Sequence, residues 1–115
     1  MNMKELEKEE ELTEVTKDLI ERTNVIKENI KKSMIVGEFN ILKGVIIFEV
    51  VLKKINPNVI NDNVVNEISN YIALYLRQKE EKEEKVNNYI HHGVNQCLTM
   101  LDLYNKSIKR KEYRS

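Results

Sequence analysis

The stretch RQKEEKEEK, residues 77–85, contains no apolar side chain, yet an apolar stripe runs at helical spacing on either side of it. Before it come Val64, Ile68, Tyr71, Ile72, Tyr75 and Leu76. After it come Val86, Tyr89, Ile90, Val94, Cys97, Leu101, Tyr104 and Ile108. Steps of three and four residues put each set on one side of a helix. The two sets are in phase, because positions 64, 75, 86, 97 and 108 step by eleven. Arg, Gln, Lys and Glu are strong helix formers, and no Gly, Pro or turn dipeptide lies among them. The favoured reading is one helix over 62–111, roughly 70 Å long at about 1.5 Å per residue. The alternative is a hairpin that turns near Lys85–Asn88 and gives a compact four-helix bundle. A continuous helix of that length would leave Val94, Leu98, Leu101 and Ile108 uncovered at one end, and dimerisation is the natural remedy.

Upstream, Leu12, Val15, Leu19, Thr23, Ile26, Ile30 and Met34 mark a first helix over 4–33. Its repeat is also closer to eleven than to seven, which favours straight packing over a tight left-handed coiled coil. A second helix spans 35–55, after a break near Ser33–Gly37. INPN (55–58) ends it, since Pro57 biases Asn56 away from the α region and Asn suits caps. The third segment starts near Asn61–Asn63, where Asn or Asp caps a helix. The fold class is therefore all-α: an elongated bundle of three long helices in one domain over 1–115, the last helix continuous or split, and the whole dimerising.

Composition agrees. The 115 residues are 41% hydrophobic and 33% charged, with one Pro and three Gly. Such a chain is globular rather than disordered, with few obligate turns. Net charge is zero but polarised: residues 1–30 carry nine carboxylates against five cations, and residues 101–115 carry five cations against two carboxylates. A balanced total argues against a dedicated DNA-binding protein. The single Cys97 forms no intrachain disulfide, and the acidic start MNMKELEKEEELTE has no apolar export signal, so a cytoplasmic location is expected.

No constellation for catalysis emerges. His91 and His92 are adjacent, so they point about 100° apart on a helix and do not converge on a metal. Cys97 lies on the apolar stripe and reads as a small core residue. The carboxylates cluster on charged, solvated faces. Gly93, inside the last stripe, points to a close helix–helix approach, with a local kink as the alternative. No cofactor, metal or catalytic residue is expected. The C-terminal KSIKRKEYR offers Lys106, Lys109, Arg110, Lys111 and Arg114 as a basic tail for nucleic acid or anionic head groups. Cations there also suit the helix dipole.

The most apolar run, KGVIIFEVVLKK (43–54), lies in the second helix. Glu38, Lys43 and Glu49 make a membrane span costly. In projection the helix is dry on two sides. Met34, Ile41, Val45, Phe48, Leu52 and Ile55 form one stripe and should pack on Leu12–Ile30. Phe39, Ile46 and Val50 form a roughly opposite stripe, the candidate surface for another helix or another protomer.

The acidic start MNMKELEKEEELTEVTKDLIERTN, the apolar middle GVIIFEVVLKKINPNV and the Lys-, Asn- and Ile-rich composition resemble the BlyB family over the full length. That family is the small soluble accessory protein of the spirochaete prophage BlyA/BlyB system, once described as a hemolysin and now regarded as holin-like. The resemblance supplies no catalytic residues. It implies a cytosolic, non-enzymatic partner of a small membrane-permeabilising protein, placed at the inner membrane through that partner. The alternative from the residues alone is a small nucleic-acid-binding or regulatory module using the basic tail.

Overall fold

The computed structural model describes residues 11–114, with side chains described through 111. Among these residues are four helices: α1 Glu14–Ser33, α2 Glu38–Ile55, α3 Asp62–Gln78 and α4 Glu84–Arg114. All are local consequences of the sequence. Thr13 caps α1, its hydroxyl accepting from the Thr16 amide at 3.1 Å. Asn61 does the same for α3, accepting from the Val64 amide at 2.9 Å. α1 stops at Met34 and α2 at Asn56, both left-handed with φ 48°. At Asn56 the amide closes onto the Leu52 carbonyl at 2.8 Å, while Pro57 prevents continuation. The side chain of Asn56 also accepts from the Thr13 amide at 2.9 Å, tying the end of α2 to the start of α1.

Three expected boundaries move, the second helix beginning at Glu38 rather than at 35. The first helix begins at Glu14, so Leu12 precedes its cap, and residues 4–10 lie outside the described residues. The long 62–111 helix is not formed, because the chain breaks between Gln78 and Glu84. The turn lies earlier than the alternative Lys85–Asn88. Asn87 closes it: its amide side chain donates to the Glu81 carbonyl at 2.8 Å and accepts from the Glu81 amide at 2.9 Å. The charges do not decide the break: a continuous helix would stack Glu80 on Glu83 and Glu84, but also Arg77 on Glu81, Lys79 on Glu83 and Glu81 on Lys85. Such a helix would strand half of the apolar stripe in water, whereas a hairpin brings both halves onto α2.

The helices run alternately up and down. Lys27 of α1 meets Glu49 of α2, and Thr13 meets Asn56, so α1 and α2 are antiparallel. Asp62 at the start of α3 meets Asn105 and Lys109 late in α4, so α3 and α4 are antiparallel too. In a square bundle α2 and α4 would be diagonal neighbours. Here that diagonal is the closest packing of all, and α1 and α3 do not meet. Two glycines permit it. A Cβ on Gly44 would lie 2.0 Å from the Ile90 carbonyl oxygen, and one on Gly93 would lie 2.0 Å from the Ile41 carbonyl oxygen. Gly93 thus marks a close approach, and α4 continues through it. The bundle is squeezed along this diagonal into a slab of 48 × 45 × 27 Å, compact and flattened rather than elongated.

The core follows the predicted stripes. Leu19, Ile41, Val45, Phe48, Leu52, Ile68, Ile72, Cys97 and Leu101 are almost completely buried. Thr23 is buried as well, its hydroxyl donating to the Leu19 carbonyl at 2.7 Å. One charge enters: Glu49 is buried on the α1 side of α2, with the Lys27 ammonium against its Oε1. Met34, predicted on the inner stripe, sits past the end of α1 and is exposed.

Candidate functional site

α2 is the central helix, touching α1, α3 and α4. Three neighbours still leave one side uncovered. On that side stand Phe39, 72% exposed, Ile46, 49%, and Val50, 44%. At about 100° per residue these three fall within about 40° of one another. The sequence-predicted outer stripe is therefore a single line of exposed apolar side chains. Its inner counterpart (Ile41, Val45, Phe48 and Leu52) is the most buried part of the molecule.

The same side carries Lys43, Lys53 and Lys54. The Lys43 ammonium lies 5.0 Å from the centroid of the Phe39 ring. α2 has only two carboxylates, and neither is on this side. Glu49 is buried against Lys27, and Glu38, eleven residues earlier, falls on the same α1-facing flank. The turn leading into α2 adds Met34, 85% exposed, and Val36, 79%, and the last turn of α1 adds Lys31 and Lys32. Glu28 is within 3.7 Å of Lys31.

The other half of the predicted surface is not a surface. Val94 is 2% exposed and Leu101 0%, while Leu98 and Ile108 are half-buried against the core. Their predicted exposure depended on a continuous last helix. Once the chain turns back at 79–83, α4 lies along α2 and its stripe is covered.

Squeezing α2 against α4 pushes α1 and α3 outward and leaves a groove on each flank of α4. One, of about 400 Å³, runs between α3 and α4, with Ile72, Leu76, Val94 and Leu98 in its floor and Arg77, Lys79 and Glu80 at one end. The other, of about 730 Å³, runs between α1 and α4 and is lined by Val25, Ile26, Met100 and Leu103. Val25 and Leu103 are exposed apolar residues that periodicity missed, because each lies off its helix's main stripe. Beside the second groove the Arg22 guanidinium sits 5.0 Å from the Tyr104 ring centroid. Burial, and then a hydrogen bond with Asp18, push the Tyr104 phenol above its ordinary pKa.

The basic tail is helical and partly neutralised within the chain. Lys106 pairs with Asp102 at 2.9 Å, and Lys109 with Asp62 at 2.7 Å. Asn105 donates to the same Asp62 oxygen at 2.8 Å. The hydrogen bonds from Lys109 and Asn105 hold the Asp62 carboxyl below the usual carboxylate range. Arg110 and Lys111 are exposed, and the Arg114 side chain lies outside the described ones.

His91 and His92 both face solvent, with His92 Nε2 3.1 Å from the Gln96 side-chain nitrogen. Among the described residues no three His, Cys, Asp or Glu side chains gather as a metal site would require. Cys97 is fully buried, and desolvation, with Glu49 adding to it, pushes its thiol up to about 12. Among the described residues, no helix is long and apolar enough to cross a membrane. In comparisons with family models, with curated proteins and with solved structures, nothing matched.

Proposed function

We propose that the chain is a non-enzymatic helical interaction protein that docks through the outer face of α2. One observation carries this reading. Phe39, Ile46 and Val50 are aligned and exposed on the helix whose opposite side forms the centre of the core. Placing apolar side chains in water in a line, rather than singly, is the pattern of a surface that is covered in use. The specific form is the one the BlyB resemblance implies: a prophage holin-system accessory protein that assists or regulates a small membrane-permeabilising partner from the cytoplasmic side. The expected homodimer loses the support it drew from the last helix, since Val94 and Leu101 are core residues.

The test replaces Phe39→Asp and Ile46→Asp together. Both side chains are exposed, so the thermal melt should hardly move. Assembly is then read by sedimentation velocity, and by co-purification with any small one-span membrane protein that the neighbouring genes encode. Loss of assembly or of co-purification with the fold intact is the expected result. Variants that assemble and co-purify like the unmodified protein would remove α2 as the docking face.

A further inference from the structure

We infer that the outer face of α2 docks directly on an anionic lipid surface. The inference rests on the docking-face reading above and names what the face takes. Three observations lead to it.

The first is charge. The exposed side of α2 presents Lys43, Lys53 and Lys54 around the apolar line and no carboxylate of its own helix. At the end of α1 Lys32 adds a further cation, while Lys31 is paired with Glu28 at 3.7 Å. A second copy of the same face would set lysine against lysine. A partner must therefore supply negative charge together with somewhere dry to place Phe39, Ile46 and Val50. A bilayer with anionic head groups supplies both at once.

The second is residue type. The cores of protein interfaces are depleted of lysine and favour aromatic and arginine anchors set in pockets. Here lysines flank the apolar residues along the helix, and their long stems let the ammonium groups reach outward while the apolar tips go deeper. The third is shape. The α3–α4 and α1–α4 grooves are lined by other residues, and none of Phe39, Ile46 or Val50 lines either. The apolar side chains project, as wedges into a soft surface do, instead of forming a cleft that receives a helix. From Phe39 to Val50 the line runs for about 16 Å of helix lying flat, a contact along the surface rather than through it.

The chain contains no Trp, so Phe39→Trp makes a single-site reporter in the full-length protein. The probe is vesicles of phosphatidylglycerol and phosphatidylcholine in equal parts, against vesicles of phosphatidylcholine alone. The expected result is flotation with the anionic vesicles, a blue shift of the introduced indole's emission, and quenching by lipids brominated on the acyl chain. Binding should be at least tenfold weaker to the neutral vesicles and should fall as salt is raised. Lys43→Gln, Lys53→Gln and Lys54→Gln combined should lower anionic-vesicle binding at least tenfold, and Phe39→Asp with Ile46→Asp should abolish it. A second variant, neutralising Lys106, Lys109, Arg110 and Lys111 to Gln, should bind as the unmodified protein does. The inference is overturned if no vesicle binding occurs, or if binding survives the α2 variants and is lost with the tail variant. If vesicles are not bound but Phe39→Asp with Ile46→Asp still breaks a protein assembly, the lipid inference falls and the docking face stands. If neither readout responds to the α2 variants, both fall.

Discussion

Replacing Gly93 with alanine adds one methyl group and, on an isolated helix, would stabilise by about 1 kcal/mol. In this bundle the sign should reverse. The new Cβ would lie 2.0 Å from the Ile41 carbonyl oxygen and 3.2 Å from the Val45 nitrogen, both backbone atoms of α2. Ordinary contact begins near 3.4 Å, so the closest pair falls about 1.4 Å short. A flexible side chain would swing away, but a helix backbone moves only as a unit. α4 must therefore lift from α2 along the line on which Val45, Val94 and Cys97 are buried. Overpacking of this kind costs about 1–3 kcal/mol, and a backbone collision belongs at the upper end. After the propensity gain, the net loss should be about 1–2 kcal/mol, read as a drop in Tm of roughly 4–10 °C. Thermal and urea unfolding followed by circular dichroism measure it, with exposed Asn95→Ala on the same helix as the control for propensity. Gly44→Ala should behave alike, since its Cβ would lie 2.0 Å from the Ile90 carbonyl oxygen. Either variant forces the same separation, so the double variant should cost less than the two singles added. A Gly93→Ala protein as stable as the original, or more so, would refute the close α2–α4 diagonal.

Four further outcomes follow from particular contacts. Lys27→Met leaves the Glu49 carboxylate buried without its partner and should cost about 2–3 kcal/mol, while Lys27→Met with Glu49→Leu should recover most of that loss in the same denaturation assay. Asn87→Ala removes both hydrogen bonds to Glu81 and should cost about 1–2 kcal/mol, with faster proteolytic nicking confined to 79–83. The Asp62 carboxyl has a lowered pKa in the fold, so its tie to Lys109 and Asn105 contributes above the ordinary Asp value and is lost as pH falls through the lower folded value. An NMR titration should show this, and Lys109→Gln should move the Asp62 midpoint upward. The Cys97 thiol, buried and pushed up to about 12, should resist a thiol reagent at pH 8 until the protein unfolds, so its labelling rate should track global opening.

Helix positions and inward faces were legible because they are written in short-range chemistry. Thr13 and Asn61 cap, Asn56 precedes Pro57, and apolar steps of three and four fix what turns inward. The 77–85 break was harder to read for a reason that is also physical. Nothing in RQKEEKEEK breaks a helix by itself, and the eleven-residue phase carries straight across it. What decides against continuity is tertiary: both flanking stripes need α2, and one straight rod cannot place both there. The local device that closes the turn is a single amide, Asn87, which in the sequence is one Asn among fourteen.

The two halves of the predicted surface fared differently because they depended on different kinds of inference. Phe39, Ile46 and Val50 were placed by the geometry of one helix, which tertiary packing did not alter. Val94 and Leu101 were placed by supposing how far one helix reaches past its neighbours, and that supposition failed with the turn. The lysines of α2 carry a signal that a helical projection dilutes, because Glu38 and Glu49 fall within about 60° of Lys53. In the folded chain Glu49 goes inward to Lys27 and Lys53 stays outside. That sorting strips the outer side of α2 of negative charge. A helix that looks balanced in composition thus presents a basic, apolar face, because the core has drawn one acid into an ion pair. Breaking that pair should therefore destabilise the fold without altering the contact. In Glu49→Gln the net charge of the protein rises by one, yet the outer face is unchanged, so binding to anionic vesicles should stay within about twofold once the fraction folded is accounted for. Moving a carboxylate outward instead, as in Val50→Glu, should weaken it at least tenfold. Equal and opposite effects, with Glu49→Gln strengthening binding as much as Val50→Glu weakens it, would mean that total charge, and not this face, governs the contact.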